Sequence, residues 1–122
     1  TLDVVTADCR FAGGRISPGV RMRCEALHRY TSRLPLIGTD GDTPMVGYDT
    51  ATAIRSGVVQ GVVGEIESCY RRLCGTLGDN LKLILTGGDA RLIAGLTDID
   101  PIVDENILMK GLNRILLYND EI

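Results

Sequence analysis

Two glycines separate an apolar run from a helical pattern in LKLILTGGDARLI, residues 81–93. The junction consists of Thr86, Gly87, Gly88 and Asp89. Because glycine has no Cβ, a ligand can approach the backbone there, and the free N–H groups at a helix start attract phosphate. Such a junction suits the ribose or a phosphate of a nucleotide, and a plain tight turn is the alternative. The segment contains neither the G-K-[ST] of a Walker loop nor G-x-G-x-x-G, so by itself it leaves both interpretations open.

The segment GGRISPG, residues 13–19, is a second junction between a strand and a helix. The glycine pair permits a bend or a close approach of another backbone. Ser17 suits the N-cap of the following helix, and Pro18 suits its first position. A contact with a substrate is the alternative to this structural role.

Asp49 and Thr50 stand where a long helical pattern begins. A side chain at this position can cap the helix by accepting a hydrogen bond from its first N–H groups. The Thr50 hydroxyl can instead form a hydrogen bond with a polar ligand at the helix start. Both roles remain open at this point.

Small residues recur inside the same helix, and each interior glycine costs about 1 kcal/mol relative to alanine. The small residues are Ala53, Gly57, Gly61 and Gly64. Small side chains at this spacing allow a second helix to approach closely. We therefore expect a tight helix contact, made either with a second subunit or within the same core.

Alternating strand and helix patterns surround these junctions. Apolar alternation predicts strands at residues 1–7, 10–16 and 81–86 and an edge strand around Pro101. Helical periodicity predicts helices at 17–34, 50–74 and 89–96 and from 104 or 105 onward, with a loop at 37–48. The order β-β-α-loop-α-β-α-β-α predicts an α/β or mixed α+β domain.

The composition narrows the class of protein. The 122 residues, 44% apolar and 24% charged, predict one soluble globular domain. No apolar run approaches the ~18 residues of a membrane span, and no secretory leader is visible. The net charge is −3, although residues 10–33 hold six arginines against Glu25. With one Phe, four Tyr and no Trp to stack on bases, we do not expect nucleic-acid binding.

The four cysteines have no C-x-x-C spacing, and His28 completes neither a zinc set nor a nucleophile set with them. We expect reduced thiols that act as small hydrophobic side chains in a cytoplasmic protein. We expect His28 to be a structural or surface residue.

Six segments of the chain occur in the order seen in type III pantothenate kinases, a family of the actin and sugar-kinase superfamily. They are TLD at 1–3, GGRISPG at 13–19, YTSRLP at 30–35, DTATAIRSG at 49–57, TGGDA at 86–90 and MKGLNRIL at 109–116. The chain resembles this family over nearly its whole length. The resemblance implies an α/β, ribonuclease-H-like (actin-like ATPase) domain in which helices flank a mixed sheet.

The resemblance also implies that residues 1–122 form the C-terminal domain, with the N-terminal domain absent from this chain. Three family segments precede T-x-D: a phosphate loop, a G-x-D-R segment with the catalytic Asp, and D-x-G-T-A. In the longer family run G-T-A-x-T-x-D, Thr1 would be the last Thr. We therefore expect no catalytic residue in this chain, and no kinase activity from residues 1–122 alone.

The implied reaction transfers the γ-phosphoryl group of ATP to the 4′-hydroxyl of pantothenate, the first step of coenzyme A synthesis, with Mg²⁺ and a monovalent cation (K⁺ or NH₄⁺) as cofactors. By position, Thr50 would bind pantothenate across a homodimer interface formed by the 50–74 helix, and Ile16 would line the same pocket. Thr86, Gly87 and Gly88 would form the ATP-binding turn. Asp3, at the second acidic position, is the candidate metal ligand.

One departure from the family pattern and two alternative functions stay open. Asp49 stands where many members have Asn before the Thr, which keeps a capping side chain and adds a charge near an anionic substrate. A non-catalytic accessory or transcriptional regulator of the same family is one alternative function. Another kinase of the superfamily, with a different acceptor, is the second.

Overall fold

The computed structural model describes residues 1–121 and divides into two compact units, Thr1–Ile66 and Glu67–Ile122. The elements are β1 (Leu2–Val5), β2 (Phe11–Arg15), α1 (Val20–Arg29), α2 (Thr50–Leu77), β3 (Ile84–Leu85), α3 (Ala90–Ala94), β4 (Ile102–Val103) and α4 (Ile107–Asp120). This order confirms the predicted order and the mixed α/β class. The prediction of a single mixed sheet is wrong for residues 1–121: β1 and β2 form one antiparallel pair, and β3 and β4 form a separate parallel pair.

The glycine pair of the first unit shapes the hairpin of β1 and β2. Gly13 has a φ of +100°, a conformation that favours glycine, and pairs with Val4 where the register shifts. Gly14 pairs with Asp3, and a Cβ at Gly14 would fall inside contact distance of the Leu2 carbonyl oxygen. The expected bend and close backbone approach are therefore both confirmed.

These two glycines give a matched pair of stability predictions. We expect Gly14→Ala to lower the free energy of unfolding by about 3 kcal/mol, because the methyl group must displace backbone rather than a flexible side chain. We expect Gly13→Ala to cost about 1 kcal/mol, since its Cβ would meet nothing within 4 Å and only the positive φ opposes it. Urea unfolding of both variants tests the ranking, and a larger loss for Gly13→Ala would contradict it.

Helix α1 starts and ends inside its predicted bounds. Gly19 is the N-cap and gives no side-chain cap, so the prediction that Ser17 caps this helix is wrong. The Ser17 hydroxyl instead forms a hydrogen bond with the carboxylate of Glu65. At the other end, Thr31 Oγ1 donates to the Leu27 carbonyl oxygen, and the helix stops at Arg29 rather than continuing to 34.

The core of the first unit is formed by α1 and the first part of α2. Its buried apolar side chains are Val20, Cys24, Ile54, Val58, Val59 and Val63. They recur at helical spacing, so each helix buries one face. Helix α2 runs three residues beyond the predicted end at 74.

The second unit builds a short parallel pair beside α3. The strand predicted at 81–86 reduces to Ile84–Leu85, because its partner β4 offers only Ile102 and Val103 after Pro101. The backbone N–H groups of Ile102 and Asp104 donate to the carbonyls of Leu83 and Leu85. Leu85, Ala90 and Ile93 are buried.

Helix α4 has no buried residue among those described. Its apolar face was predicted from periodicity, and the structure leaves that face exposed: Ile107, Leu108, Leu112, Ile115 and Leu116. Asn106 is the N-cap, whereas Asp104 accepts hydrogen bonds from the Asn106 N–H and from Lys110 Nζ. Among residues 1–121, none of the helices has the length and apolar character needed to cross a membrane.

All four cysteines are reduced thiols. Cys24 and Cys69 are buried, as expected for small hydrophobic side chains. Cys9 is exposed in the β1–β2 turn with a φ of +61°, so the same expectation is wrong there. His28 is an exposed residue whose Nδ1 lies 2.7 Å from the Leu34 carbonyl oxygen, which confirms the surface interpretation.

Candidate substrate and nucleotide sites

The start of α2 is held by a cap that leaves Thr50 exposed. Asp49 Oδ1 accepts hydrogen bonds from the backbone N–H and from the hydroxyl of Thr52, both at 2.7 Å. The N–H groups of Tyr48 and Asp49 donate in turn to Thr52 Oγ1. Thr52 is buried, whereas the Thr50 hydroxyl forms no hydrogen bond with residues 1–121. Capping is therefore the role of Asp49, and the Thr50 hydroxyl is available to a ligand at the helix start.

The Asp49 carboxylate is stabilised in its charged form. Its pKa lies below the ordinary value because the Thr52 N–H and hydroxyl donate to it, and because the Arg55 charge is near. A lowered carboxylate pKa stabilises the fold above the pKa of the unfolded chain, and this contribution is lost as the pH falls through the folded-state pKa.

A pH-dependent stability follows from this cap. We expect Asp49→Ala to lower the melting temperature at pH 7, and we expect the difference from the unsubstituted chain to shrink as the pH falls below the ordinary pKa of aspartate. Asp49→Asn is the matched control, because it keeps an acceptor for the Thr52 N–H and removes the titrating group. Melting curves from pH 7 to pH 3 provide the measurement, and a constant difference between the unsubstituted and Asp49→Ala chains would contradict the assignment.

Arg55 fixes the loop that leads into the start of α2. Its Nε donates to the Gly38 carbonyl oxygen at 3.1 Å, and its Nη1 donates to the Asp42 carbonyl oxygen at 3.3 Å. Gly41 packs against the guanidinium with a φ of +121°, where a Cβ would lie 2.8 Å from Nη1. Tyr48 Oη donates to Asp42, and the charge of that carboxylate raises the pKa of Tyr48. The sequence did not indicate the role of Arg55, since its acceptors are backbone carbonyl oxygens that no motif identifies.

One face of α2 carries only small residues. Thr50, Ala53, Gly57, Gly61 and Gly64 follow at steps of three and four, and all are exposed. A Cβ at Gly57 or Gly64 would meet nothing within 4 Å, and one at Gly61 would meet only Arg23 Nη1 at 3.5 Å. Packing within the core of this unit therefore does not explain the glycines. We call these five residues the small-residue face.

The turn that contains Ile16 lies in the same unit as Thr50. Ile16 is 91% exposed, an extreme value for a large apolar side chain. The turn after it is held by Arg23, whose Nε donates to the Pro18 carbonyl oxygen at 2.7 Å. Ile16 thus projects from a fixed backbone without being part of the core.

The second unit carries the glycine turn at Thr86, Gly87 and Gly88. All three residues are exposed, and Gly87 has a φ of +98°. The Ala90 N–H donates to the Gly87 carbonyl oxygen, and the expected side-chain cap by Asp89 is absent. Helix α3 has only five residues, so its dipole attracts phosphate less than a longer helix would. The feature of this turn that suits a ligand is therefore the exposed backbone of Gly87 and Gly88, which no side chain covers.

Among residues 1–121, no group of three or more His, Cys, Asp or Glu side chains could hold a metal ion. Asp3, the predicted candidate, is exposed and accepts a hydrogen bond from Thr1 Oγ1 at 3.0 Å. One carboxylate on a strand does not make a divalent-cation site. The described residues therefore do not fit a resident metal by themselves.

The class of fold is shown by a solved structure. The chain is similar to a Campylobacter jejuni protein described as a conserved, proposed Baf family transcriptional activator, with a TM-score of 0.69 and 23% identity. The likeness covers 98% of this chain and 53% of the other, and at this identity it concerns the fold alone.

The family is shown by sequence. The family model for type III pantothenate kinase matches residues 1–72, and the chain belongs to this family. Relatives named type III pantothenate kinase include one from Phocaeicola vulgatus, 41% identical over 100% of this chain and 50% of its own length. Another, from Porphyromonas gingivalis W83, is 40% identical over 98% of this chain and 50% of its own. The chain thus spans about half the length of the curated relatives it matches.

Proposed function

We propose that this chain is the C-terminal, ribonuclease-H-like domain of an enzyme that transfers the γ-phosphoryl group of ATP to the 4′-hydroxyl of pantothenate. The family membership supports the reaction, and the half-length match to relatives is consistent with a second domain. The observation that carries the proposal is Thr50, whose exposed hydroxyl stands at the capped start of α2 with no protein partner among residues 1–121.

Ile16 of one subunit and Thr50 of the other would form the pantothenate side of the proposed site. The Thr50 hydroxyl would form a hydrogen bond with a polar group of pantothenate, and Ile16 would contact its apolar part. The exposure of both side chains supports these roles, because neither is used by the core of the unit. Substrate binding of this kind contributes by positioning the acceptor hydroxyl.

Thr86, Gly87 and Gly88 form the nucleotide side, where the backbone of a side-chain-free turn would lie against the adenosine of ATP. Mg²⁺ would arrive with the nucleotide, and the monovalent cation, K⁺ or NH₄⁺, would need further ligands, since the described residues hold no metal cluster. The base and the phosphate loop would come from the N-terminal domain. Four reduced cysteines are consistent with a cytoplasmic enzyme.

We also propose a homodimer whose subunits meet along α2. The small-residue face begins at Thr50 itself, so a helix that packs there would bring Thr50 beside the partner subunit. Open space at the Cβ positions of Gly57 and Gly64 allows two backbones to approach closely. The dimer would then complete the substrate site, because Thr50 would act in the active site of the other subunit.

A coupled assay of ATP turnover tests the proposal. We expect the intact protein to consume ATP only when pantothenate is present, and we expect residues 1–122 alone to show no such activity. Pantothenate-dependent turnover by residues 1–122 alone would refute the assignment of the base to another domain. No pantothenate dependence in the intact protein would refute the proposed reaction.

The regulator alternative is less well supported by the charges at residues 10–33. Arg10, Arg21 and Arg23 form ion pairs with Asp8, Glu25 and Glu65, which reduces the positive field available to a phosphate backbone. A salt-dependent DNA shift assay distinguishes the two functions, and we expect no binding at low salt.

A further inference from the structure

An ion pair on two helices holds the turn that carries Ile16. Arg23 on α1 donates through Nη2 to the Glu65 carboxylate on α2, and through Nε to the Pro18 carbonyl oxygen at 2.7 Å. The Ser17 hydroxyl forms a hydrogen bond with the same carboxylate. Two consecutive residues of the turn are therefore tied to one ion pair, Ser17 through its side chain and Pro18 through its backbone.

The pair is better shielded than the other ion pairs of its unit. The side chains of Arg23 and Glu65 are 24% and 33% exposed, whereas Arg10 and Arg21 are 82% and 90% exposed in their pairs. Shielded, hydrogen-bonded pairs hold a fixed geometry, and removing one partner leaves the other charge unpaired. The pKa of Glu65 is lowered by the Ser17 hydrogen bond and then by Arg23, so the carboxylate is charged at neutral pH.

The fixed geometry ends at a side chain that the fold does not use. Ile16 directly precedes Ser17 and is 91% exposed. Restraining a backbone costs conformational entropy, and holding an apolar side chain in water gives no stability in return. The restraint is explained if Ile16 must stand at a defined place for a ligand.

We propose that Arg23 and Glu65 are positioning residues for pantothenate: through Ser17 and Pro18 they set the place of Ile16 against the apolar part of the substrate. This rests on the proposed function. In this proposal neither residue touches the substrate, and both act only through the place of Ile16. Their removal should therefore weaken pantothenate binding and leave ATP binding and the chemical step intact.

Steady-state kinetics of the intact protein test this. We expect Glu65→Ala to raise KM for pantothenate about tenfold, with kcat and KM for ATP within twofold of the unsubstituted enzyme. We expect Glu65→Gln, which keeps one carbonyl oxygen as an acceptor and loses the charge that pairs with Arg23, to raise KM for pantothenate less than Glu65→Ala does. Glu25→Ala is the matched control, since it removes an exposed carboxylate paired with Arg21 at 3.6 Å, and we expect it to change nothing.

Ser17→Ala is a second variant that keeps the test valid if Glu65→Ala does not fold. It removes only one hydroxyl from an exposed turn. We expect a rise of about threefold in KM for pantothenate and only a small fall in melting temperature, from the loss of one hydrogen bond. An unchanged KM for pantothenate in both Ser17→Ala and Glu65→Ala would overturn the positioning role. A fall in kcat of about tenfold in Glu65→Ala, whether pantothenate or ATP is the varied substrate, would overturn it as well. If the unsubstituted intact protein does not phosphorylate pantothenate, the proposed function itself has failed, which distinguishes the two failures.

Discussion

Replacing Thr50 with alanine is expected to lower kcat/KM for pantothenate by about 10- to 100-fold in the intact protein, with little change in stability. The hydroxyl has no partner among residues 1–121, so its loss removes nothing that folds the unit. A hydrogen bond to a substrate, by contrast, contributes about 1.5–3 kcal/mol when one partner is charged. The cap by Asp49 stays in place, because its hydrogen bonds go to Thr52.

Thr50→Ser is the matched control, since it keeps the hydroxyl and removes one methyl group. We expect it to retain most of the activity. Thermal melting of both variants separates the substrate role from a structural one. If Thr50→Ala kept full kcat/KM, or if its activity fell only in step with its melting temperature, the substrate role of Thr50 would be wrong.

The second large effect concerns assembly. We expect Gly61→Leu to convert the proposed dimer into a monomer and to abolish pantothenate phosphorylation. The leucine would stand in the middle of the small-residue face, where two helices meeting at backbone distance have no room for it. Within the chain a Cβ at Gly61 meets only the Arg23 guanidinium at 3.5 Å, and leucine favours the helix by about 0.8 kcal/mol over glycine. Folding should therefore be preserved.

Thr76→Leu is the control for this substitution, because it adds an exposed leucine to α2 beyond Gly64, the last residue of the small-residue face. The Thr76 hydroxyl donates to the Arg72 carbonyl oxygen, within the same helix. Sedimentation equilibrium gives the mass of each variant directly. A Gly61→Leu protein that stays dimeric would exclude the small-residue face as the interface.

The sequence predicted the element order well, because periodicity and glycine placement are local signals. The bend at Gly13 and the close approach at Gly14 follow from residue type alone, and so does a cap at residue 49 or 50. The start of α1 could not be found in this way. Ser17 is a residue type that commonly caps helices. Its hydroxyl instead forms a hydrogen bond with the Glu65 carboxylate, which lies on α2, far along the chain, and no local pattern indicates that partner.

The candidate site shows the same division between local and distant signals. Thr50 and the turn at Thr86, Gly87 and Gly88 could be chosen from spacing and from the family resemblance, and their roles stay predictions. The residues that hold the loop before Thr50 and the turn after Ile16 could not be chosen from the sequence. Arg55 and Arg23 donate to backbone carbonyl oxygens at Gly38, Asp42 and Pro18, and a carbonyl is present at every position of a sequence. Periodicity likewise predicted the apolar face of α4 without indicating that residues 1–121 leave it exposed.

Product analysis of the intact protein is the most direct test of the proposed reaction. Incubation with ATP, Mg²⁺, K⁺ and a panel of hydroxyl acceptors, followed by mass spectrometry, identifies the acceptor and the phosphorylated position. We expect 4′-phosphopantothenate to form from pantothenate, in an amount equal to the ADP released. Transfer to another acceptor in preference to pantothenate, or ADP release with no phosphorylated pantothenate, would contradict the proposed function.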